Sequence, residues 1–297
     1  MSALDRIGQV GAWLGPVRLA SAATMREAAS TVEALGYGSF WVSDTPTTRD
    51  PFSASAVVLA ATSSLVVGTG IANVWGRDAA AMNGASQALA EAYPSRFVLG
   101  LGVSHSPDVA RRGHAYVSPV AKMRSYLDEL DASPYDPPAP AVAAPRMLAA
   151  LGPRMLELSR DRTAGALPYL TTPEHTKLAR DLLGPGSALI PEQTLVLESS
   201  PSAAREAGRE FLTHYLAMPN YQNNLLRMGF TYEDLSGGGS DRLVDALVAW
   251  RSVETVAERI RDHLAAGADH VALQPLPRPG DPLGLEQLRL LAPLLVG

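Results

Sequence analysis

The sequence has no cysteine among its 297 residues. That removes disulfides, thiolate nucleophiles and cysteine-ligated metals together, and a cytoplasmic protein is expected. Lysine is nearly missing as well, with only Lys122 and Lys177, while arginine, alanine, glycine and proline are plentiful. That imbalance suggests the coding bias of a GC-rich genome. With a net charge of -5 and no basic block, nucleic acid is not an expected partner. No apolar run approaches the roughly 20 residues that cross a bilayer. The opening MSALDRIGQV has no basic segment leading into an apolar one, so no signal peptide is expected. The six histidines show no HxxxH spacing, so no metal site is expected. No GxSxG elbow is present, which weakens a hydrolase reading. The GGGS at 237–240 has no following lysine and no preceding strand, so it reads as a flexible loop and not a phosphate loop.

What the chain does have is core material and rhythm. Hydrophobic residues make up 46% and charged residues 19%, which suits a globular protein with a large interior. Short strand-like runs alternate with helix-like runs. IGQVGAW (7–13) precedes TMREAASTVEALG (24–36), in which a threonine and a glutamate three residues on read as a helix start. SFWVSD (39–44), LVVGTGIA (65–72) and FVLGLGV (97–103) are each followed by a helical pattern. A proline-rich connection (133–145) leads to RMLAALG (146–152), then GALPYL (165–170) and TLVLES (194–199), each with its helix. HVALQPL (270–276) is the eighth strand, and a polar insertion near 219–242 breaks the rhythm before it.

Apolar strands alternating with helices imply parallel strands buried on both faces. Closure into a (β/α)8 TIM barrel, one domain over 1–297, is the economical α/β solution, with an open doubly wound sheet as the alternative. In a barrel, reactive groups lie where strands end. The strand ends offer Asp44, Gly70–Asn73, Ser104 with His105, Gly152–Arg154, Tyr169, Glu198 and Gln274.

Taken together, ALGYGSFWVSD (34–44), LVVGTGIANVWGRD (65–78), AYPSRFVLGLGVSHSP (92–107), LAALGPRMLELS (148–159) and HLAAGADHVALQPL (263–276) run in order along nearly the whole chain. They resemble the luciferase-like monooxygenase superfamily, and within it the deazaflavin (coenzyme F420) oxidoreductase branch, a bacterial-luciferase-like barrel without metal. The resemblance implies non-covalent F420, with hydride exchanged with a small organic substrate, and a homodimer. The GC-rich character agrees with an actinobacterial setting, where deazaflavin is common.

Residue by residue, Gly70–Ile71 matches the position of a non-proline cis peptide that presses on the cofactor ring. Asp44 matches an acid that hydrogen-bonds the ring system, although it could equally serve as a turn residue before Thr45–Pro46. Relatives with an acid–histidine pair have histidine where this chain has Thr45. Asn73, Trp75 and Arg77 follow the bulge and could line the pocket. Gly152, Pro153 and Arg154 open a helix, where backbone N–H groups favour the phosphate of the cofactor tail. Arg111 and Arg112 resemble an anion clamp but suit a solvated surface too. NYQNN (220–224) is either a lid or an oligomer contact. The glycines of LGLGV leave room for a ring over the barrel mouth.

His105 stands where many deazaflavin relatives carry a carboxylate that exchanges a proton with substrate. A histidine near its ordinary pKa can do the same at neutral pH; a loop hydrogen bond is the plainer alternative. Two further functions remain open: an FMN-dependent monooxygenase of the same superfamily, and a non-catalytic flavin-binding or partner subunit, which the absence of histidine at 45 permits.

Overall fold

The computed structural model describes residues 1–296. Its strands are β1 (Val10–Ala12), β2 (Ser39–Val42), β3 (Val66–Thr69), β4 (Ala72–Asn73), β5 (Phe97–Gly102), β6 (Arg146–Leu148), β7 (Gly165–Ala166), β8 (Ala188–Leu189), β9 (Glu192–Val196), β10 (Val248–Trp250) and β11 (Val271–Pro275). Every ladder between them is parallel. Parallel neighbours need a crossover, and helices such as Ala22–Ala34 and Ala79–Ala92 supply it, burying one face against the strands.

The ring closes through β8 and β9, which are two halves of one barrel strand. β8 pairs with β7, and β9 pairs with β11, which in turn pairs with β1. Between the halves the ladder is unbroken. Ile190 N donates to Ala166 O at 2.9 Å, Glu192 N to Pro168 O at 2.9 Å, and Ala272 N to Pro191 O at 3.0 Å. The strand order is therefore β1, β2, β3, β5, β6, β7, β8/β9, β11 and back to β1. β4 continues the line of β3 beyond a bulge and pairs with β5. β10 lies outside the ring on the upper edge of β9, above the point where the short β7 has ended.

Alternation along the strands separates two cores. Trp13, Trp41, Val66, Val98, Met147, Leu167, Ile190 and Ala272 fill the barrel interior. A larger cluster, including Val10, Phe40, Val67, Leu99 and Leu148, lies between strands and helices. The interior is close-packed enough to dictate glycine. A Cβ on Gly68 would come within 2.3 Å of the Trp41 ring, and one on Gly100 within 2.0 Å of Thr69 O. The β5 glycines thus make room for the protein's own groups, Gly102 for Ile71 among them.

Three boundaries differ from the sequence expectation. The first helix is capped by Ser21, whose Oγ accepts from Thr24 N at 3.0 Å, so Thr24 lies inside it. The seventh strand begins at Ala188, well before Thr194. The polar insertion is ordered: helices Pro219–Arg227, Tyr232–Leu235 and Asp241–Leu247 lead into β10, and the GGGS run is a tight turn between them. Its polar composition hides Tyr221 and Leu225, one helical turn apart, which bury into a separate cluster with Leu170, Leu212, Leu216 and Leu243.

Candidate active site

The mouth of the barrel, where the strands end, collects the sequence-predicted residues into three neighbourhoods. The first surrounds the bulge between β3 and β4, where the Gly70–Ile71 peptide is cis. The Trp13 indole packs against Gly70, so a Cβ there would fall 2.4 Å from the ring. Trp13 Nε1 donates to Ser43 Oγ at 3.1 Å. Asp44 spends both oxygens on the surrounding loops: Oδ2 accepts from Asn73 N at 3.0 Å and Oδ1 from the Arg112 guanidinium at 3.2 Å. Burial pushes the Asp44 carboxyl up, while the Asn73 N–H and Arg112 oppose the rise.

Asn73 is 2% exposed, and its Oδ1 accepts from Trp75 N at 2.9 Å, a turn contact. Arg77 pairs with Asp50, which burial raises but the Ser53 N–H and Arg77 together hold below the usual carboxylate range. Its guanidinium lies 5.0 Å from the Phe52 ring centroid. With Thr45 and Thr48, these side chains enclose a polar recess of about 190 Å3. Its two arginines each face an aspartate, so the lining is charged but balanced.

The second neighbourhood is a wall of rings. His105 precedes the short helix Ser106–Arg111 and is half-buried. Its Nδ1 is 3.1 Å from Asn220 Oδ1, and its ring centroid is 5.6 Å from that of Tyr221. Tyr221 meets Tyr215 at 5.4 Å and Tyr169 at 6.3 Å, and Tyr169 meets Trp13 at 5.3 Å. The Tyr169 hydroxyl is 3.1 Å from that of Tyr215 and donates to Gln274 Oε1 at 3.0 Å. The rings thus run unbroken from the cis bulge to His105. Burial holds the His105 imidazole below its ordinary value, opposed by the bond to Asn220 and the charge of Asp108, with His214 adding to the lowering.

Beneath this wall lies a carboxyl absent from the sequence expectations. Glu192 is 1% exposed; it accepts from Thr194 Oγ1 at 2.6 Å and from Leu170 N at 3.1 Å. Burial pushes it up to about 7, against the two hydrogen bonds.

The third neighbourhood is the start of helix Pro153–Arg162. Gly152 caps it in an extended conformation, and Pro153 and Arg154 are exposed in its first turn. Arg227, at the end of the inserted helix, reaches back over it: a Cβ on Gly152 would lie 3.1 Å from the Arg227 guanidinium. The bare glycine leaves room for that cation beside the helix start. His175 Nε2 donates to Leu151 O at 2.9 Å and anchors the exit of the fifth barrel strand. Burial, with Arg227 adding, lowers the His175 imidazole below its ordinary value, opposed by the bond to Leu151.

Against known proteins, a sequence profile described as luciferase-like monooxygenase matches residues 8–270. The chain belongs to the luciferase-like monooxygenase family. Within a curated set, a similar protein is a 5,10-methylenetetrahydromethanopterin reductase of Methanolobus tindarius, 26% identical over 175 residues. That match spans 54% of this chain and 54% of the relative, so the chain spans about half the length of the curated relative it matches. Among solved structures, the coenzyme F420-dependent tetrahydromethanopterin reductase of Methanopyrus kandleri superposes with a TM-score of 0.79 at 16% identity, covering 97% of this chain and 98% of that one. An FMN-bound type II Baeyer–Villiger monooxygenase from Pseudomonas putida, the oxygenating constituent of 3,6-diketocamphane monooxygenase, gives 0.74 at 13% identity, covering 97% and 98%. These likenesses establish the family barrel.

Within that barrel, Gly70, Ile71, Asn73, Asp44 and Arg77 gather around one bulge, His105 sits across the mouth, and Gly152–Arg154 forms a separate corner. Arg112 is half-buried and joins the bulge through Asp44, while Arg111 is exposed beside Asp108. Asn220 and Tyr221 entered the sequence reading only as part of a lid or oligomer contact, and Arg227, Tyr215 and Glu192 escaped it. The one signal for the first three was NYQNNLLR itself, whose apolar spacing of four marks a helix.

Proposed function

We propose that this chain is an F420-dependent oxidoreductase that moves hydride between a deazaflavin and a small organic substrate. The observation that carries the reading is one mouth holding both a half-buried histidine at the end of a wall of rings and, at a distinct corner, a glycine-capped helix start flanked by Arg154 and Arg227. The donor set at that corner suits an anionic tail: helix-start N–H groups and the Arg227 guanidinium lie together, with Arg154 exposed in the same first turn. The ring wall suits a planar group and excludes water from its edge. Bound deazaflavin would supply hydride exchange at its ring.

The chain's own residues do the rest. His105 gives or takes the matching proton, so that hydride and proton together reduce, or on reversal form, a carbon–oxygen or carbon–carbon double bond. Asp44, through Asn73 N and Arg112, fastens the loops that present the Gly70–Ile71 face. Arg227 and Arg154 hold the phosphate-bearing tail. The likeness to the coenzyme F420-dependent Methanopyrus reductase supports deazaflavin.

A second reading, an FMN-dependent monooxygenase, draws support from the FMN-bound Pseudomonas structure, because the same corner would receive a flavin phosphate. Titrating the purified chain with F420 and with FMN, and following fluorescence quenching, separates the two. Saturable binding of F420 is expected; tight FMN binding with none of F420 overturns the first reading. Binding of neither favours a non-catalytic partner subunit.

A further inference from the structure

Imidazole has two nitrogens, and the hydrogen bond at one decides which form the other takes. At His105, Nδ1 is 3.1 Å from the carbonyl oxygen of Asn220. A carbonyl oxygen accepts only, so Nδ1 carries the proton and Nε2 carries the lone pair. The backbone that carries this partner is anchored. Asn220 belongs to helix Pro219–Arg227, which is pinned by buried Met218, Tyr221, Asn224 and Leu225 and by Gln222 Nε2 donating to Leu216 O at 2.7 Å. The same helix lays Tyr221 against the imidazole.

We infer that Asn220 is a positioning residue: it fixes His105 in the Nδ1–H tautomer and leaves Nε2 as the atom that exchanges a proton in the barrel mouth. The inference rests on His105 being the proton-exchanging residue, and it deepens that reading by naming the atom and its support. An amide serves better here than a carboxylate. It accepts from Nδ1–H whether Nε2 is protonated or not, so the ring keeps its orientation through the transfer, and it adds no charge that would trap the imidazolium. The remaining groups facing His105 are Asp108 on its own helix, His214 on helix Pro201–Leu216 and the Tyr221 phenol. Only Asp108 among them favours the charged form.

The test starts on the cofactor-free full chain labelled with 15N-histidine, by long-range 1H–15N correlation of the ring nitrogens against pH. The expected spectrum has a protonated Nδ1 and a pyridine-like Nε2 in the neutral form. Asn220→Ala, at an exposed position that leaves the helix core alone, should release the ring toward the Nε2–H form that free histidine favours. With F420 and substrate, the same variant should lose kcat about tenfold or more, with KM within a few-fold. Asn220→Asp should keep the tautomer but move the titration of His105 up by about one pH unit or more. A wild-type His105 found as Nε2–H, or an Asn220→Ala chain with unchanged tautomer and midpoint, overturns the inference. The failure of the parent reading looks different: the tautomer is as described, yet His105→Ala turns over normally.

Discussion

Replacing Glu192 by glutamine tests whether a carboxyl sealed beneath the ring wall weakens the fold at neutral pH. The residue is 1% exposed, and no cation pairs with it among the described residues. Burial lifts its carboxyl from 4.5 to about 7. Between those values the folded chain keeps a proton that the unfolded chain has released. Stability therefore falls as pH rises, at about 1.4 kcal/mol per unit. Below 4.5 both states are protonated and nothing is lost; above about 7 the full penalty, about 3 kcal/mol, is in place. Glutamine retains the shape, accepts from Leu170 N and donates to Thr194 Oγ1, but never ionises. Urea unfolding followed by tryptophan fluorescence should find Glu192→Gln about 3 kcal/mol more stable than wild type at pH 8, and equal to it at pH 4.5. A difference independent of pH, or a variant less stable at pH 8, would refute the reasoning.

Three other outcomes are expected. Gly70→Ala drives a methyl to 2.4 Å from the Trp13 ring and should lower stability by about 1–3 kcal/mol, read from the urea midpoint; an unchanged midpoint would mean that Trp13 moves freely. Arg227→Ala should weaken cofactor binding about tenfold or more at low salt, and the gap from wild type should narrow as ionic strength rises in the same fluorescence titration. His105→Ala should keep cofactor affinity within about threefold yet lose roughly 10²–10⁴ in turnover. In the wild type, because burial holds His105 below 6.5, the pH limb that reports its protonation should fall on the acid side of that value.

Local periodicity made much of the barrel legible. Alternating strand and helix runs located the eight ring strands, and the strand-end rule led to Asp44, His105 and Gly152. What stayed hidden was what depends on partners distant in the chain. Arg112 reads as half of a surface pair until the fold brings it, 68 residues away in sequence, to Asp44. Asn220 lies 115 residues from His105, and no spacing rule reaches that far. Glu192 opens an ordinary apolar strand, and its raised carboxyl follows only from being enclosed. The insertion misled for a different reason: its helices are short and amphipathic, so a count of polar residues outweighs the few apolar ones that decide the packing.

The course of residues 219–250 bears on how the mouth opens. The segment leaves after the helix that follows the seventh barrel strand, crosses above His105, and returns as β10 hydrogen-bonded to that same strand. Mechanically it is a clasp riveted at one end to the helix that follows the seventh strand and at the other to the strand itself. Insertions, deletions or substitutions between the rivets can reshape what the mouth admits without asking any of the eight staves to move. The same clasp carries Asn220 to His105 and Arg227 to the helix start at Gly152, so a change in its length would be felt at both places.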